Sequence, residues 1–296
     1  KLLTTYFASK HILDHQKGIM HNKFFIFDKK IVWTGSTNGS STDLQYNSNA
    51  VVIINDADVA NIYQKEFNQM FEEEKFHQLK SKIENTENIL IDDGTVLSVY
   101  FTPANRPMQN VVLPMIKNAK KSVDISMFFF TDKYNMQALL DAVARGVKVR
   151  IILDATGASS EYSKHEILRA GGALVKVENF GGKMHQKTAV IDNEKVIVGS
   201  MNWTGNGDFV NDENVLLFNS PKIAKIFTAE FNRLFKGIPD KWLTGRPNAE
   251  SLDSINSCRD GIDNDFDGKI DFEDEGCRVN APKETLPALN PTAEQF

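Results

Sequence analysis

The chain has 296 residues, of which 41% are hydrophobic and 25% charged, a composition typical of a globular protein with one large or two smaller domains. Its formal net charge of −5 is local, because 13 of the 39 acidic but only 6 of the 34 basic residues lie at positions 240–296. The nearly neutral body therefore neither demands nor excludes a polyanionic partner. The sequence contains no run of about 20 apolar residues, so no transmembrane segment is predicted.

An internal repeat organises the chain from its first elements onward. A histidine, lysine and aspartate signature, separated by one and then four other residues, occurs twice at an offset of 164. Its members are His21, Lys23 and Asp28 in the first copy and His185, Lys187 and Asp192 in the second. The same offset, without a gap, relates further positions over about fifty residues, which chance would not produce. These include Gly35-Ser36 with Gly199-Ser200, and Asn38 with Asn202.

The first copy is much shorter than the second. Only twenty residues precede His21, and the offset places the expected start of this repeat about 68 residues before Lys1. We therefore expect residues 1–71 to be the C-terminal part of a first repeat truncated at its N-terminus, followed by a connector at 72–95. Without its leading strands, such a repeat would have an open sheet edge and an incomplete core.

The second repeat is predicted at residues 96–236. Apolar, β-branched runs predict strands at 96–101, 122–130, 148–155 and 173–177, with helices between them at 111–120, 136–145 and 163–170. Strands at 184–191, 195–200 and 213–218 follow, and Ser220 caps a closing helix at 221–235. The predicted fold class is α/β, with duplicated repeats that are each a mixed β-sheet flanked by helices.

The paired histidine and lysine of each copy indicate phosphodiester chemistry. Residues two apart on a strand share a face, so each copy would place an imidazole beside an ammonium. Two lysines would hold the phosphate oxygens, while a neutral histidine attacks phosphorus and a protonated one donates to the leaving oxygen. Water or an alcohol would then attack the phosphohistidine, and catalysis requires no cofactor. The other histidines His77 and His165 lie in charged stretches that resemble surface.

The doubled motif, with Gly-Ser-x-Asn after each copy, resembles the phospholipase D superfamily over nearly all of residues 18–236. This resemblance implies that the two motif histidines are the nucleophile and the acid/base, and that the two lysines are phosphate ligands. It implies further phosphate-binding or site-supporting roles for Asn38, Asn202, Ser36 and Ser200. It gives Asp28 and Asp192 a role in stabilising the motif rather than in catalysis.

The third strand of each repeat breaks the symmetry. In many members of the superfamily an acidic residue there orients the histidine; Glu213 fills this place, but its counterpart is Asn49. A carboxylate raises the basicity of a histidine more than an amide does, so the two histidines should differ. Our hypothesis is that Glu213 acts in catalysis by tuning His185, while the identity of the nucleophile stays open.

The acidic tail carries a second motif, between Cys258 and Cys277. Counted from position 263, carboxylates occupy places 1, 3, 5, 9 and 12 of a calcium loop, with glycine at place 6. The predicted metal ligands are Asp263, Asp265, Asp267, Lys269, Asp271 and Asp274. No flanking helices are evident, and the segment resembles thrombospondin type 3 or dockerin-like repeats. We expect structural Ca²⁺ remote from the phosphodiester chemistry; the alternative is a solvated acidic tail.

The cysteines themselves predict a compartment. We expect a disulfide rather than two free thiols, and therefore an oxidising environment, which favours a secreted or periplasmic protein of bacterial type. The tail is divided into a linker at 237–257, the disulfide-bracketed calcium loop at 258–277 and a disordered end at 278–296.

These features predict a phosphodiesterase that hydrolyses a phospholipid through a covalent phosphohistidine, with peripheral membrane contact. The neutral body lacks the basic stripe of a tight DNA binder, which favours phospholipid over nucleic acid. Two alternatives stay open. One is a secreted endonuclease cleaving DNA or RNA, because residues 211–214 resemble small bacterial nucleases of the superfamily. The other is a non-catalytic, calcium-stabilised binding protein with a decayed site, although both motifs are intact.

Overall fold

The computed structural model describes residues 11–178, 182–238, 251, 258–259, 261 and 267–278. Their strands form a three-stranded sheet, β1–β3, and an eight-stranded sheet, β4–β11. The strands are β1 Phe24–Phe27, β2 Ile31–Gly35, β3 Val51–Asn55, β4 Ile89–Leu90, β5 Val96–Phe101, β6 Ser122–Met127, β7 Lys148–Asp154, β8 Leu174–Glu178, β9 Lys187–Ile191, β10 Lys195–Gly199 and β11 Asn214–Asn219. The α-helices are α1 Ser41–Gln45, α2 Ala57–Phe71, α3 Leu113–Asn118, α4 Lys133–Ala144, α5 Ala155–Ala158, α6 His165–Ala170, α7 Gly205–Phe209 and α8 Pro221–Gly237.

The large sheet is mixed and has the order β4-β5-β11-β10-β9-β6-β7-β8. Strands β6, β7 and β8 run parallel, and the other pairings are antiparallel. Because side chains alternate along each strand, the sheet buries both faces. One face packs under α3, α4 and α6, and the other packs against the small sheet and α2. The α/β fold class predicted from the sequence is confirmed.

The predicted elements of the second repeat are present with small shifts at their ends. The expected helix at 111–120 begins with a π-helical turn at Met108–Val112 and continues as α3. The strand expected from position 184 begins at Lys187, because Met184 forms a single bridge to another segment. Ser220 caps α8 as predicted, and its hydroxyl accepts from the N–H of Ile223 at 3.4 Å.

The internal repeat is also a repeat of local structure. Strands β1, β2 and β3 correspond at the offset of 164 to β9, β10 and β11, and α1 corresponds to α7. Both copies turn between their first two strands through residues with positive φ: 51° and 55° at Asp28 and Lys29, and 57° at both Asp192 and Asn193. Asp and Asn tolerate this left-handed conformation better than most residues.

The small sheet exposes an apolar face. Phe25, Phe27 and Ile53 are 55%, 50% and 68% exposed on the side turned away from α2. The repeat-two counterparts of the two phenylalanines, Ala189 and Ile191, lie instead in the buried core beneath α3 and α4. Equivalent strand positions are therefore covered in repeat two and exposed in the described part of repeat one.

The tail contains the predicted disulfide between Cys258 and Cys277. Most of the predicted linker, the predicted ligands Asp263 and Asp265, and all but the first residue of the predicted disordered end lie outside the described residues. Among the residues that are described, no helix is long and apolar enough to cross a membrane.

Candidate active site

Two reciprocal bridges bring the motifs together. Met20 pairs with Asp212 and Met184 pairs with Ser48, and the offset of 164 exchanges these two contacts. The N–H of each following histidine completes the bridge: His21 donates to the Asp212 carbonyl at 2.9 Å, and His185 donates to the Ser48 carbonyl at 2.8 Å. Each motif is therefore held by the loop before the third strand of the other repeat.

The same crossover decides which residue orients each histidine. Nδ1 of His21 lies 2.6 Å from Oε2 of Glu213, and Nδ1 of His185 lies 3.0 Å from Oδ1 of Asn49. The hypothesis that Glu213 tunes His185 was therefore wrong: Glu213 contacts His21. The offset of 164 shows which residues of the two copies are equivalent. It does not show that the third-strand residue of one copy contacts the histidine of the other copy.

Glu213 is completely buried and held by neutral donors. The Ser200 hydroxyl donates to its Oε2 at 2.7 Å, and the Asn211 amide donates to its Oε1 at 3.1 Å. The Ser36 hydroxyl likewise donates to Asn49 Oδ1 at 2.8 Å. Both serines thus hold the residues that orient the histidines, and direct contact with a phosphate stays a prediction for them.

The two lysines are buried beside their histidines. Nζ of Lys23 and Nζ of Lys187 each donate to the backbone carbonyl of the motif histidine two residues earlier, at 2.7 Å in both copies. Burial lowers the pKa of Lys23 to about 8, and burial together with the charge of Lys23 lowers the pKa of Lys187 well below its usual value. An anion between them would relieve this cost, so the site is suited to a phosphate.

His185 has a cationic and aromatic environment. Its ring meets that of Phe128 edge-on at a centroid distance of 5.0 Å, and Nζ of Lys187 lies 5.0 Å from the same phenylalanine ring. Burial, followed by the charge of Lys187, lowers the pKa of His185 to about 3. The imidazole of His185 is therefore neutral at neutral pH and can act as a nucleophile.

The predicted asparagines, Asn38 and Asn202, lie in the loop that follows the second strand of each repeat, three residues after β2 and β10. The backbone N–H of Asn38 donates to Asp43 at 2.5 Å, and Oδ1 of Asn202 accepts from the N–H of Phe129 at 3.4 Å. Asn38 is exposed and Asn202 is half-buried, so phosphate binding by their side chains stays a prediction. The neighbouring Trp203 is 1% exposed and has a core role.

Sequence reasoning missed Asp43 on α1. Its side chain is 2% exposed, and its Oδ1 lies 3.4 Å from Nδ1 of His185. Burial would raise the pKa of Asp43, but hydrogen bonds from Asn47 and Asn49 outweigh it and lower the pKa. The one sequence signal, Ser40 three residues before it, is a capping pattern that indicates only a helix start.

The motif aspartates differ in their environments. Asp192 accepts the backbone N–H groups of Lys120, Lys121 and Ser122 at 2.6–3.1 Å, so it ties the β9–β10 turn to the start of β6. This geometry agrees with the stabilising role expected for Asp192. Asp28 is exposed, and its carboxylate has no hydrogen-bond partner in the part of the chain that the structure describes. The described part of repeat one contains no counterpart of the β6 strand.

Two of the remaining histidines, His77 and His165, are not surface residues. His77 and His165 are 3% and 6% exposed, so the expectation of surface positions was wrong. Nε2 of His77 lies 2.7 Å from Asp14, and its Nδ1 lies 3.2 Å from Asp212. These two carboxylates offset the cost of burying the polar imidazole of His77.

The predicted calcium ligands are only partly described. The Asp267 and Lys269 side chains lie 3.6 Å apart, and Asp271 accepts from the N–H of Gly261 at 3.2 Å. Within the described residues no group of three or more histidine, cysteine, aspartate or glutamate side chains is arranged to hold a metal. Calcium binding therefore stays a prediction.

Comparison with known proteins agrees with this geometry. The family model described as "Cardiolipin synthase, PLD-like domain" matches residues 3–71 and 112–235. The chain is 34% identical over 125 residues to the mitochondrial cardiolipin hydrolase of Xenopus tropicalis, covering 42% of this chain and 60% of that protein. It is 34% identical over 131 residues to the phospholipase D of Rickettsia prowazekii (strain Madrid E), covering 44% and 63%.

The chain thus spans somewhat under two thirds of the length of the curated relatives it matches. Among solved structures, the phosphatidylserine synthase of Haemophilus influenzae Rd KW20 superposes with a TM-score of 0.57 at 14% identity, covering 74% of this chain and 62% of that one. At this identity the likeness supports the fold alone. Because the family model matches more than half of the sequence and includes both motifs, the chain belongs to the PLD-like domain family of the phospholipase D superfamily.

Proposed function

We propose that this protein is a phosphodiesterase that hydrolyses a phospholipid through a covalent phosphohistidine. The observation that carries the proposal is the reciprocal packing of two buried histidine–lysine pairs with unequal partners on their histidines. The phospholipid class is supported by relatives named phospholipase D and mitochondrial cardiolipin hydrolase.

The environments of the two histidines support the following first chemical step. Lys23 and Lys187 bind the non-bridging oxygens of the phosphate. The neutral imidazole of His185 attacks phosphorus, so an N–P bond forms while the bond to the leaving alcohol oxygen breaks. His21 donates its proton to that oxygen, and Glu213, 2.6 Å from Nδ1, holds the ring in place.

The second step reverses the proton transfer. His21, now neutral, accepts a proton from water as the water oxygen attacks phosphorus. The N–P bond breaks, His185 is released neutral, and the product is a phosphate monoester. In the proposed cycle the proton given to the leaving alcohol is replaced by one from water, so His21 and His185 return to their starting protonation states.

An assay panel tests the proposal. The full chain and a His185→Ala control are incubated with vesicles of phosphatidylcholine or cardiolipin and with single-stranded and double-stranded DNA. We expect a phosphomonoester lipid from the full chain alone. Activity on none of the substrates would contradict the enzyme, faster cleavage of DNA would favour the endonuclease, and activity that survives the substitution would refute the mechanism. Label trapped only on His21 would reverse the two histidine roles.

We also propose calcium binding in the tail, peripheral membrane contact during lipid hydrolysis and a secreted or periplasmic location. The disulfide supports an oxidising compartment. Calorimetry of the oxidised full chain should detect calcium binding that Asp267→Ala weakens while the lipid hydrolysis rate is unchanged. Sedimentation with anionic vesicles should measure the membrane contact. Absence of calcium heat in the oxidised protein would exclude the calcium loop.

A further inference from the structure

Asp43 is a buried carboxylate that belongs to one repeat only. The offset of 164 pairs it with Gly207, so the site around His21 has no equivalent. One carboxylate oxygen accepts the N–H of Asn38 at 2.5 Å. The other accepts the side-chain amides of Asn47 at 2.6 Å and Asn49 at 3.1 Å.

These contacts fix which way the Asn49 amide points. Its Nδ2 donates to the Asp43 carbonyl at 2.9 Å as well as to the carboxylate, and both partners can only accept. The amide oxygen must therefore face the Ser36 hydroxyl at 2.8 Å and Nδ1 of His185 at 3.0 Å. Since an amide oxygen only accepts, His185 carries its proton on Nδ1 and keeps the lone pair of Nε2 free.

We propose that Asp43 is a positioning residue for His185, which acts through Asn49 to hold the tautomer whose Nε2 attacks phosphorus. The proposal rests on the proposed function for its catalytic meaning, but the tautomer itself can be observed without any substrate. Asp43 supplies from α1 the carboxylate that the third strand of repeat one lacks.

Asp43 acts on His185 through the Asn49 amide, whereas Glu213 contacts His21 directly. Glu213 touches Nδ1 of His21 directly at 2.6 Å, so that ring faces a carboxylate. Asp43 lies 3.4 Å from Nδ1 of His185, and the closer contact at 3.0 Å is a neutral oxygen. The His185 ring is thus oriented by a neutral acceptor rather than by a direct carboxylate.

The Asp43→Asn variant should invert this arrangement. An asparagine can accept at only one side-chain oxygen, and the fixed N–H of Asn38 will claim it. The new amide nitrogen then faces the side-chain nitrogens of Asn47 and Asn49, which donate to this position in the wild type. To avoid this contact between donors, the Asn49 amide gives up its 2.9 Å bond to the backbone carbonyl of residue 43 and turns its nitrogen toward His185. Nδ1 of His185 becomes an acceptor, and the proton moves to Nε2.

The test is nitrogen-15 NMR of the His185 ring in the full chain, with kcat and KM on the lipid substrate measured beside it. Wild type should show the Nδ1–H form, and Asp43→Asn should show the Nε2–H form. The wrong tautomer should lower kcat on the order of 10⁴-fold while KM changes little. An unchanged tautomer in the variant would overturn the inference whether or not the protein proves to be an enzyme.

Two further variants separate positioning from general damage. Asp43→Asn combined with Asn49→Asp returns a carboxylate that accepts from Nδ1, so it should restore the Nδ1–H form. Failure of the double variant to restore the tautomer would also overturn the inference, even if the single variant does not fold. Ser40→Ala removes the cap of α1, whose hydroxyl accepts from the Asp43 N–H at 3.3 Å, and should lower Tm without moving the tautomer.

Discussion

Lys80 neutralises two buried carboxylates behind the active site. Its replacement should lower the free energy of unfolding more than the replacement of a surface lysine does. Its side chain is 1% exposed, as is that of Glu66, and Asp212 is fully buried. Nζ of Lys80 pairs with Glu66 and lies 2.7 Å from Asp212. Lys80→Met keeps the stem but leaves both carboxylates without their cation. Removal of one partner from a buried ion pair costs about 3–5 kcal/mol of unfolding free energy.

The pH dependence follows from the same contacts. Burial raises the pKa of Glu66 and of Asp212, and the ammonium of Lys80 opposes both shifts. The folded state therefore holds carboxyl protons more tightly than the unfolded chain, and Lys80→Met strengthens that preference. Folding gains from such protons at low pH and loses the gain as pH rises through the folded pKa. The deficit of the variant should be smaller at pH 5 than at pH 8.

Urea denaturation of both proteins at the two pH values measures this deficit. The matched control is Lys75→Met, because Lys75 pairs with Glu73 on the surface at 46% and 49% exposure. That change should alter the unfolding free energy by no more than about 0.5 kcal/mol. A deficit under about 1 kcal/mol for Lys80→Met at pH 8, or equal deficits at both pH values, would refute the reasoning. Since the Asp212 carbonyl holds the N–H of His21, kcat should fall as well.

Two other predictions concern the motifs themselves. Because the pKa of Lys23 is about 8, kcat/KM should fall as pH rises above 8 and the ammonium is lost; a profile that stays flat to about pH 9.5 would contradict this. Asp192→Ala breaks the hydrogen bonds to three backbone N–H groups and should cost about 1–3 kcal/mol in urea denaturation. Its counterpart Asp28→Ala lies at the same left-handed turn position but removes an exposed side chain, so it should cost less than Asp192→Ala; equal costs would show that the turn contacts are unimportant.

Much of the fold was predictable because its determinants are local or repeated. Strand β5 occupies the predicted residues 96–101, since a short, mostly apolar run that contains valines and aromatic residues is typical of a strand buried on both faces. The positions of the motif residues followed from a constant register between copies. The disulfide between Cys258 and Cys277 followed from two cysteines close together in a tail with no other thiol.

The unpredicted parts depend on contacts between distant segments. The partner of Glu213 was predicted wrongly because the residues just before the third strand of each repeat contact the motif of the other repeat, and neither copy alone shows this. His77 was misplaced because its burial depends on Asp14 and Asp212, which are 63 and 135 positions away in sequence. Asp43 was overlooked because its short helix carries an ordinary capping pattern, whereas its contact with His185 arises only when both repeats are folded together.

The inequality of the two histidines matches what the two proposed chemical steps would require of each. His21 must release a proton in the first step and accept one in the second, so both of its protonation states must be accessible. A carboxylate at 2.6 Å, itself held by Ser200 and Asn211, provides that. His185 must only form and release a bond to phosphorus, and a proton on its Nε2 would block it. Burial, the nearby lysines and a neutral amide oxygen disfavour that proton. In the proposed mechanism, the presence of Asn49 where repeat two has a carboxylate therefore decides which histidine is the nucleophile.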